Sequence, residues 1–381
     1  MDDPSEPDPA RRVIAPAVQD YRQAQGVASS EARPTSPLVK RPRAVVVRRN
    51  VIGVVGAWTA SCVAPSFLGG ANTRLVYGAG GSIVEISSDG SGRAVRLQPQ
   101  TGGIARDPAW SPDRTKIAYA YTPPMVATRD GGVEASLPNT DLYVLDIASG
   151  VTQVVHTHEG PGESLERPMW SRDGMALVSS VMAPIFEGGA VRAVRESVVR
   201  VTIGETTNAR TTIALGVQDV AVSPDGAKMA WVRRVPEGRA VEIANSDGSG
   251  VVVVVPPTAV DGAAWPRFSP DGRQLVFSAV SPATPVATVT PLPRRAARWV
   301  SVADASALRH GLPMDLFVVN TDGSDLRRVT TVGEDSPQAT WSPDGKRFAI
   351  VSGGGIYVLP VGTVDLQLID AGGGHGAIDW R

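Results

Sequence analysis

One short string, Ser-Pro-Asp-Gly after an apolar residue, recurs along this chain and limits what it can fold into. The copies are Trp110-SPDR, Trp170-SRDG, Val222-SPDG, Phe268-SPDG and Trp341-SPDG, and Asp379-Trp380-Arg381 begins a sixth. The steps between copies are 60, 52, 46, 73 and 39 residues. Self-similarity at such a period marks a repeat architecture, and one unit has the size of a four-stranded propeller blade with room for loop insertions.

Each unit parses into four strands, A to D from the inside out, by two-residue alternation and turn chemistry. After Trp110-SPDR come KIAYAY, DLYVLDIASG and VTQVVH; after Trp341-SPDG come RFAIVSG, GIYVLPV and DLQLID. SPDG reads as the A-to-B hairpin: Pro pre-sets φ, Asp bonds the amides ahead of it, and Gly takes the positive φ. SSDGSG at 87–92, NSDGSG at 245–250 and NTDGSD at 320–325 read as C-to-D hairpins. Their acidic residues do not spell a calcium loop, because each site offers one Asp among Ser and Gly. The apolar residue before each Ser is expected to pack between neighbouring blades.

The segments RLVYGAG, SIVEISSDG and AVRLQP precede the first SPD copy and supply B, C and D strands without an A. Gly376–Arg381 supplies an A strand with nothing after it. One blade shared by the two ends accounts for both, and the sequence predicts an all-β, six-bladed propeller closed in this way over residues 71–381. Closure leaves no blade without a neighbour, and only the short outer edges of the blades stay open.

Residues 1–45 are rich in Pro, Ala, Ser, Arg and acidic side chains, too poor in large apolar groups to offset ordering entropy, so disorder is expected there. Residues 46–70 read as a signal or anchor. Lys40, Arg41, Arg43, Arg48 and Arg49 precede the apolar run Val51–Ala64, too short for a membrane span and followed by small residues. Thr59-Ala60-Ser61-Cys62 resembles a bacterial lipobox, which would make Cys62 a lipid attachment site; Arg48-Arg49 also resembles a twin-arginine signal. The alternative is a buried strand with Cys62 as a small core residue. Translation beginning near Val45–Val47 would account for the length ahead of this signal.

WSPDGKRFAIVSGGGIYVLPV, with its four siblings, resembles the TolB-type, WD40-like propeller repeats over residues 72–381. The α/β domain that precedes the TolB propeller is not expected here. The resemblance implies an exported, six-bladed protein that binds other envelope proteins, though no motif carries a partner-contacting residue across. Related repeats also occur in peptidases and carbohydrate-active enzymes, so fold does not assign function.

Strand direction puts B-to-C and D-to-A connections on one face, and the excess length falls there, at 122–140, 156–168, 182–194 and 281–314. Such confinement marks a binding face in repeat folds. The 281–314 insertion carries Arg294, Arg295, Arg298 and Trp299, the residue types of interface anchors, and 294–308 can form a short helix. These four are the candidate partner-binding residues. His156 and His158, two apart with Glu159, Glu163 and Glu166 nearby, lack a third distant ligand, and His310 and His375 lie elsewhere in sequence. Asp107, Glu166, Asp219 and Asp335 fall just ahead of strand A, where they can ring a channel mouth or cap strand-end amides. No metal or cofactor is expected.

With 37 basic and 38 acidic residues, the chain is not built for phosphate-dominated nucleic-acid binding. A single cysteine excludes an internal disulfide. No G-x-S-x-G nucleophile elbow occurs. The sequence therefore predicts a monomeric, non-catalytic, exported binding module, as a periplasmic or cell-surface protein. The alternative is a carbohydrate- or polar-ligand-processing lyase or hydrolase with its site at the channel mouth.

Overall fold

A computed structural model describes residues 73–124, 139–204, 209–280, 313–331, 333–372, 374 and 376–381, apart from the Asp335 side chain. Cys62, Arg294, Arg295, Arg298, Trp299, His310 and His375 lie outside the described residues, as do residues 1–72. Every regular element among the described residues is a strand. They form six antiparallel sheets, the blades of a propeller.

Blade 1 comprises β1 (Arg74–Ala79), β2 (Ser82–Ser87) and β3 (Ala94–Leu97), with β25 (Ile378–Trp380) as its innermost strand. Blade 2 comprises β4 (Ile104–Trp110), β5 (Lys116–Thr122), β6 (Asp141–Asp146) and β7 (Thr152–His156). Blade 3 comprises β8 (Ser164–Trp170), β9 (Ala176–Glu187), β10 (Ala190–Thr202) and β11 (Arg210–Leu215). Blade 4 comprises β12 (Val217–Val222), β13 (Lys228–Val235), β14 (Gly238–Asn245) and β15 (Val252–Val255). Blade 5 comprises β16 (Asp261–Phe268), β17 (Gln274–Val280), β18 (Pro313–Asn320) and β19 (Arg327–Arg328), with β20 (Glu334–Asp335) on the far end of β18. Blade 6 comprises β21 (Gln338–Trp341), β22 (Arg347–Ser352), β23 (Gly355–Pro360) and β24 (Gln367–Asp370).

In blade 1, Leu75 pairs with Trp380 and Tyr77 with Ile378, and Arg74 and Arg381 exchange both backbone hydrogen bonds at 2.8 and 3.0 Å. Contacts run from β25 and β1 to β4, then to β8, β12, β16, β21 and back to β25.

The apolar core is divided among the gaps between blades, because each sheet presents both faces to a neighbour. The residue before each SPDG sits in the gap shared with the preceding blade. Trp110 packs with Val76 and Ile83, Trp170 with Ala118 and Leu142, Trp341 with Val276 and Leu316, and Trp380 with Ala349 and Val351. Val222 and Phe268, only partly buried, lie against the corresponding clusters.

The SPDG turn repeats one hydrogen-bond pattern five times. The Ser hydroxyl donates to the Asp carboxylate at 2.5–2.6 Å, and the amide two residues past the Asp donates to the same oxygen at 3.0–3.1 Å. The amide of the first B-strand residue, or its neighbour, donates back to the Ser hydroxyl at 2.9 Å. Asp89, Asp247 and Asp322 likewise accept from Ser91, Ser249 and Ser324 in the C-to-D hairpins. These carboxylates are used by their own turns, as the sequence predicts.

Two expectations need correction. The 182–194 segment is not a loop: β9 and β10 run on past their neighbours as a two-stranded ribbon, turned by Gly188 and Gly189 with φ of 59° and 79°. A Gly-Gly pair fits a type I′ hairpin, and a two-stranded ribbon tolerates Pro184 because its outer edge needs no amide donor. Secondly, Asp107, Glu166 and Asp219 lie within strand A, not ahead of it.

Candidate functional site: the axial channel

The innermost strands surround the molecular axis, and two register positions recur on them. The first layer, immediately before the gap-filling aromatic or apolar residue, holds Asp379, Ala109, Met169, Ala221, Arg267 and Thr340; of these Ala109 and Ala221 pack into the gaps between blades. The second, three before it, holds Ala377, Asp107, Arg167, Asp219, Trp265 and Gln338.

The second layer depends on a local irregularity. In blades 2 to 5 the pairing of A with B slips around this position, and Asp107, Arg167, Asp219 and Trp265 take φ of 53–57°. A bulge of this kind re-aims the side chain it carries. Left-handed φ in Arg and Trp is costly without surrounding support, and here the support is the ring itself.

From these positions the side chains cross between blades. Arg167 donates to Gln338 Oε1 at 2.6 Å, joining blade 3 to blade 6 on the opposite side of the ring. Its Nε lies 3.6 Å from Asp219, and its guanidinium sits 5.1 Å over the Trp265 ring. Asp107 accepts the Ala377 amide at 2.7 Å, Asp379 the Trp110 amide at 2.9 Å, and Asp219 the Trp265 amide at 3.4 Å. Arg267 reaches from blade 5 to Met169 Sδ on blade 3. Burial pushes the Arg267 guanidinium below its usual value; Arg167 and Arg381 add to that, and Asp379 and Asp107 oppose it. It stays a cation, because guanidinium begins so far above neutrality. Among the described residues, polar side chains therefore cross between blades near the axis.

The sequence singles out the acidic residues here but not their partners. Glu166 bonds Arg106 at 3.2 Å and accepts the Ser164 hydroxyl at 2.9 Å; Asp107 and Asp219 hold backbone amides. Arg167, Arg267, Trp265 and Gln338 carry no motif of their own. Their common signal is register: they stand one or three residues before the SPDG neighbour.

His156 and His158 end up side by side in chain but in separate networks. His158 Nδ1 lies 2.7 Å from Asp141 Oδ1, and its Nε2 lies 2.9 Å from the Asn139 amide nitrogen. His156 sits 3.5 Å from Glu159, and burial followed by the charge of Arg210 lowers its pKa. Arg210 bridges Glu159 and Glu163 at 3.2 and 2.9 Å. His158 is thus hydrogen-bonded at both ring nitrogens whereas His156 Nε2 makes no hydrogen bond, and no cluster of metal-ligand type occurs among the described residues.

The ribbon of β9 and β10 stands on the B-to-C face. Phe186 pairs with Val191 and Pro184 with Val194, so these four share one side. Ile185, Phe186, Val191 and Val194 are each 42–44% exposed. On the opposite face a cleft of about 390 Å³ lies between the A-to-B turns of blades 3 and 4, lined by Arg172, Asp173, Arg200 and Asp225 among others.

No family model matches the sequence, and no curated protein matches it. Among solved structures the chain is similar to TolB from Agrobacterium tumefaciens, with TM-score 0.50 and 15% identity over 78% of this chain and 87% of that one. It is also similar to a chain in a nidogen/laminin complex, with TM-score 0.54 and 9% identity over 81% and 98%. TolB from Acinetobacter baumannii gives TM-score 0.49 and 15% identity over 77% of this chain, which spans 65% of that protein's length. At these identities the likeness is one of fold: the protein has the six-bladed β-propeller fold.

Proposed function

We propose that this propeller is a non-catalytic binding module of the cell envelope, engaging a protein partner through the face that carries its B-to-C and D-to-A connections. The exposed apolar side of the β9–β10 ribbon carries the reading. The ribbon stands beyond the paired length of its blade, so Phe186, Val191 and Val194 contribute little to the core, and a contiguous exposed apolar surface is the usual mark of an interaction site. The Arg167–Gln338 bridge supports a protein over a small ligand on this face, since it closes the axis where a pocket would open. Arg294, Arg295, Arg298 and Trp299 fall in sequence between β17 and β18, and we assign them the second part of the contact. Export, with lipid attachment at Cys62, rests on the basic-apolar segment at 46–70 and on what the TolB-type resemblance implies.

A photo-crosslinking residue placed at Phe186 in the native host tests this. Strong, single-partner crosslinking is expected at 186 and none at Asp322 on the opposite face. Val191→Asp should lower the yield at least tenfold with thermal stability unchanged. Equal yields at 186 and 322 would remove the assignment of the face. Turnover of a polysaccharide by the purified protein, lost in Arg167→Ala, would instead establish the lyase- or hydrolase-type alternative.

A further inference from the structure

Two departures from the repeat fall in one gap, the one between blades 3 and 4. Elsewhere the gap is filled by Trp110, Trp170, Phe268, Trp341 or Trp380, but here by Val222, which is only partly buried. The second departure is on strand C, at the residue paired one step past the partner of the gap-filler. Blades 2, 4, 5 and 6 place Val144, Ile243, Val318 and Val358 there, each buried against the next blade. Blade 1 places Glu85 there, held by Arg74 and Arg96. Blade 3 places Arg200 there, half-buried and lining the cleft of about 390 Å³. Arg200 makes no hydrogen bond or ion pair among the described residues. Asp173 does not supply one. Its carboxyl is lowered first by the Ser171 hydroxyl and the Met175 amide, which hold Oδ1 at 2.5 and 3.0 Å, and the charge of Arg200 is a lesser cause. Asp225 is held in the same way by Ser223 and the Ala227 amide. The cleft therefore opens where an aromatic ring is missing, and its wall carries a partly desolvated cation, which is costly without a paired anion.

We propose that this cleft binds an aromatic monocarboxylate, its ring in the space that indole or phenyl takes in the other gaps and its carboxylate on the Arg200 fork. Val178 and Met229 give the ring an apolar floor, and a thioether beside an aromatic ring is a favourable contact. The planar guanidinium presents paired N–H donors that match two carboxylate oxygens. Exposed Arg172, whose Nη1 lies 3.5 Å from the Asp225 carbonyl oxygen, adds positive charge at the mouth. Asp173 and Asp225 line the same mouth and oppose a second negative charge, which favours a monoanion over a phosphate dianion. A cleft of about 390 Å³ has the size of a small-molecule site. It lies on the A-to-B turn face, away from the partner face, and does not depend on that reading.

The test is titration of the purified full chain with indole-3-acetate, indole and phenyl phosphate in turn, at constant ionic strength. Binding is read by calorimetry and by the thermal midpoint, which rises with occupancy when only the folded state binds. Saturable one-to-one binding of indole-3-acetate is expected, at least tenfold tighter than that of indole, which lacks the carboxylate, or of phenyl phosphate. Val222→Trp fills the cleft and Arg200→Val removes the cation, and each should weaken binding at least tenfold. Both install the residue type that other blades carry, so the thermal midpoint without ligand should not fall, which separates lost binding from lost folding. Arg200→Gln serves should either variant fail to fold, and should likewise lose binding. Arg234→Gln, at an exposed side chain paired with Glu196, should leave binding unchanged. Absence of saturable binding in the wild type, equal binding of the three probes, or undiminished binding in the Val222 and Arg200 variants would overturn the proposal.

Discussion

Arg114 shows how far a single position can depart from its repeat without moving the backbone. It stands where the other turns have Gly174, Gly226, Gly272 and Gly345, and it adopts the same conformation, φ 61° against 69–73°. A side chain in this region costs about 1–2 kcal/mol, and Gly returns part of that as unfolded-state freedom. Arg114→Gly is therefore expected to stabilise the fold by about 0.5–1 kcal/mol. Urea unfolding of the two proteins measures it, and a loss of stability would mean the exposed Arg114 side chain contributes more than its backbone costs. The turn residues were legible because each carries its chemistry locally. Arg267 was not: beside Phe268 it reads as one more polar strand residue. Only ring closure brings Asp379, Met169 and Arg267 from three blades to one layer. The left-handed φ at Arg167 and Trp265 was equally hidden, since no glycine announces it.

Among the elements, the SPDG turn behaves as a small acid-sensitive unit. The Ser111 hydroxyl and the Thr115 amide hold the Asp113 carboxyl down to about 2. Asp173, Asp225 and Asp271 are lowered by their own Ser in the same way, and in Asp344 the Ser342 and Lys346 donors outweigh the burial that opposes them. A carboxyl whose folded pKa is depressed contributes stability that is complete above its unfolded value, near 3.8 for Asp113, and is lost as pH falls toward about 2. The stability difference between wild type and Asp113→Asn should therefore be constant above about pH 4 and shrink below it, as read from urea midpoints. A difference independent of pH would place the turn's contribution in geometry and not in charge. The exposure of these turns keeps each contribution modest. Strand content, hairpin type and blade order were readable from such turns. The β9–β10 ribbon was misread because Pro184 and the Gly-Gly pair signal a break, whereas here they shape an edge and a tight hairpin.

For the whole molecule, the apolar core of the described residues is spread over the gaps between blades. Deleting residues 376–381 would empty one position in the ring, removing buried Ile378 and Trp380 and the Asp379 carboxylate that holds the Trp110 amide. The expected cost is on the order of 5 kcal/mol or more, summed from one large aliphatic and one aromatic side chain. Shortening the ribbon at 186–190 should cost far less. Thermal unfolding of the two deletions separates them, and equal midpoints would show that β25 is dispensable. The pairing of Arg74 with Arg381 has a further consequence. Those residues already sit as neighbours on adjacent strands, so a short peptide could join them and the chain could be opened at Gly188–Gly189 with the same set of contacts preserved. In such a permuted chain the native state would be indifferent to the route by which the polypeptide visits its blades. Only the rate would register the change, through the altered sequence separation of the strands that must find each other.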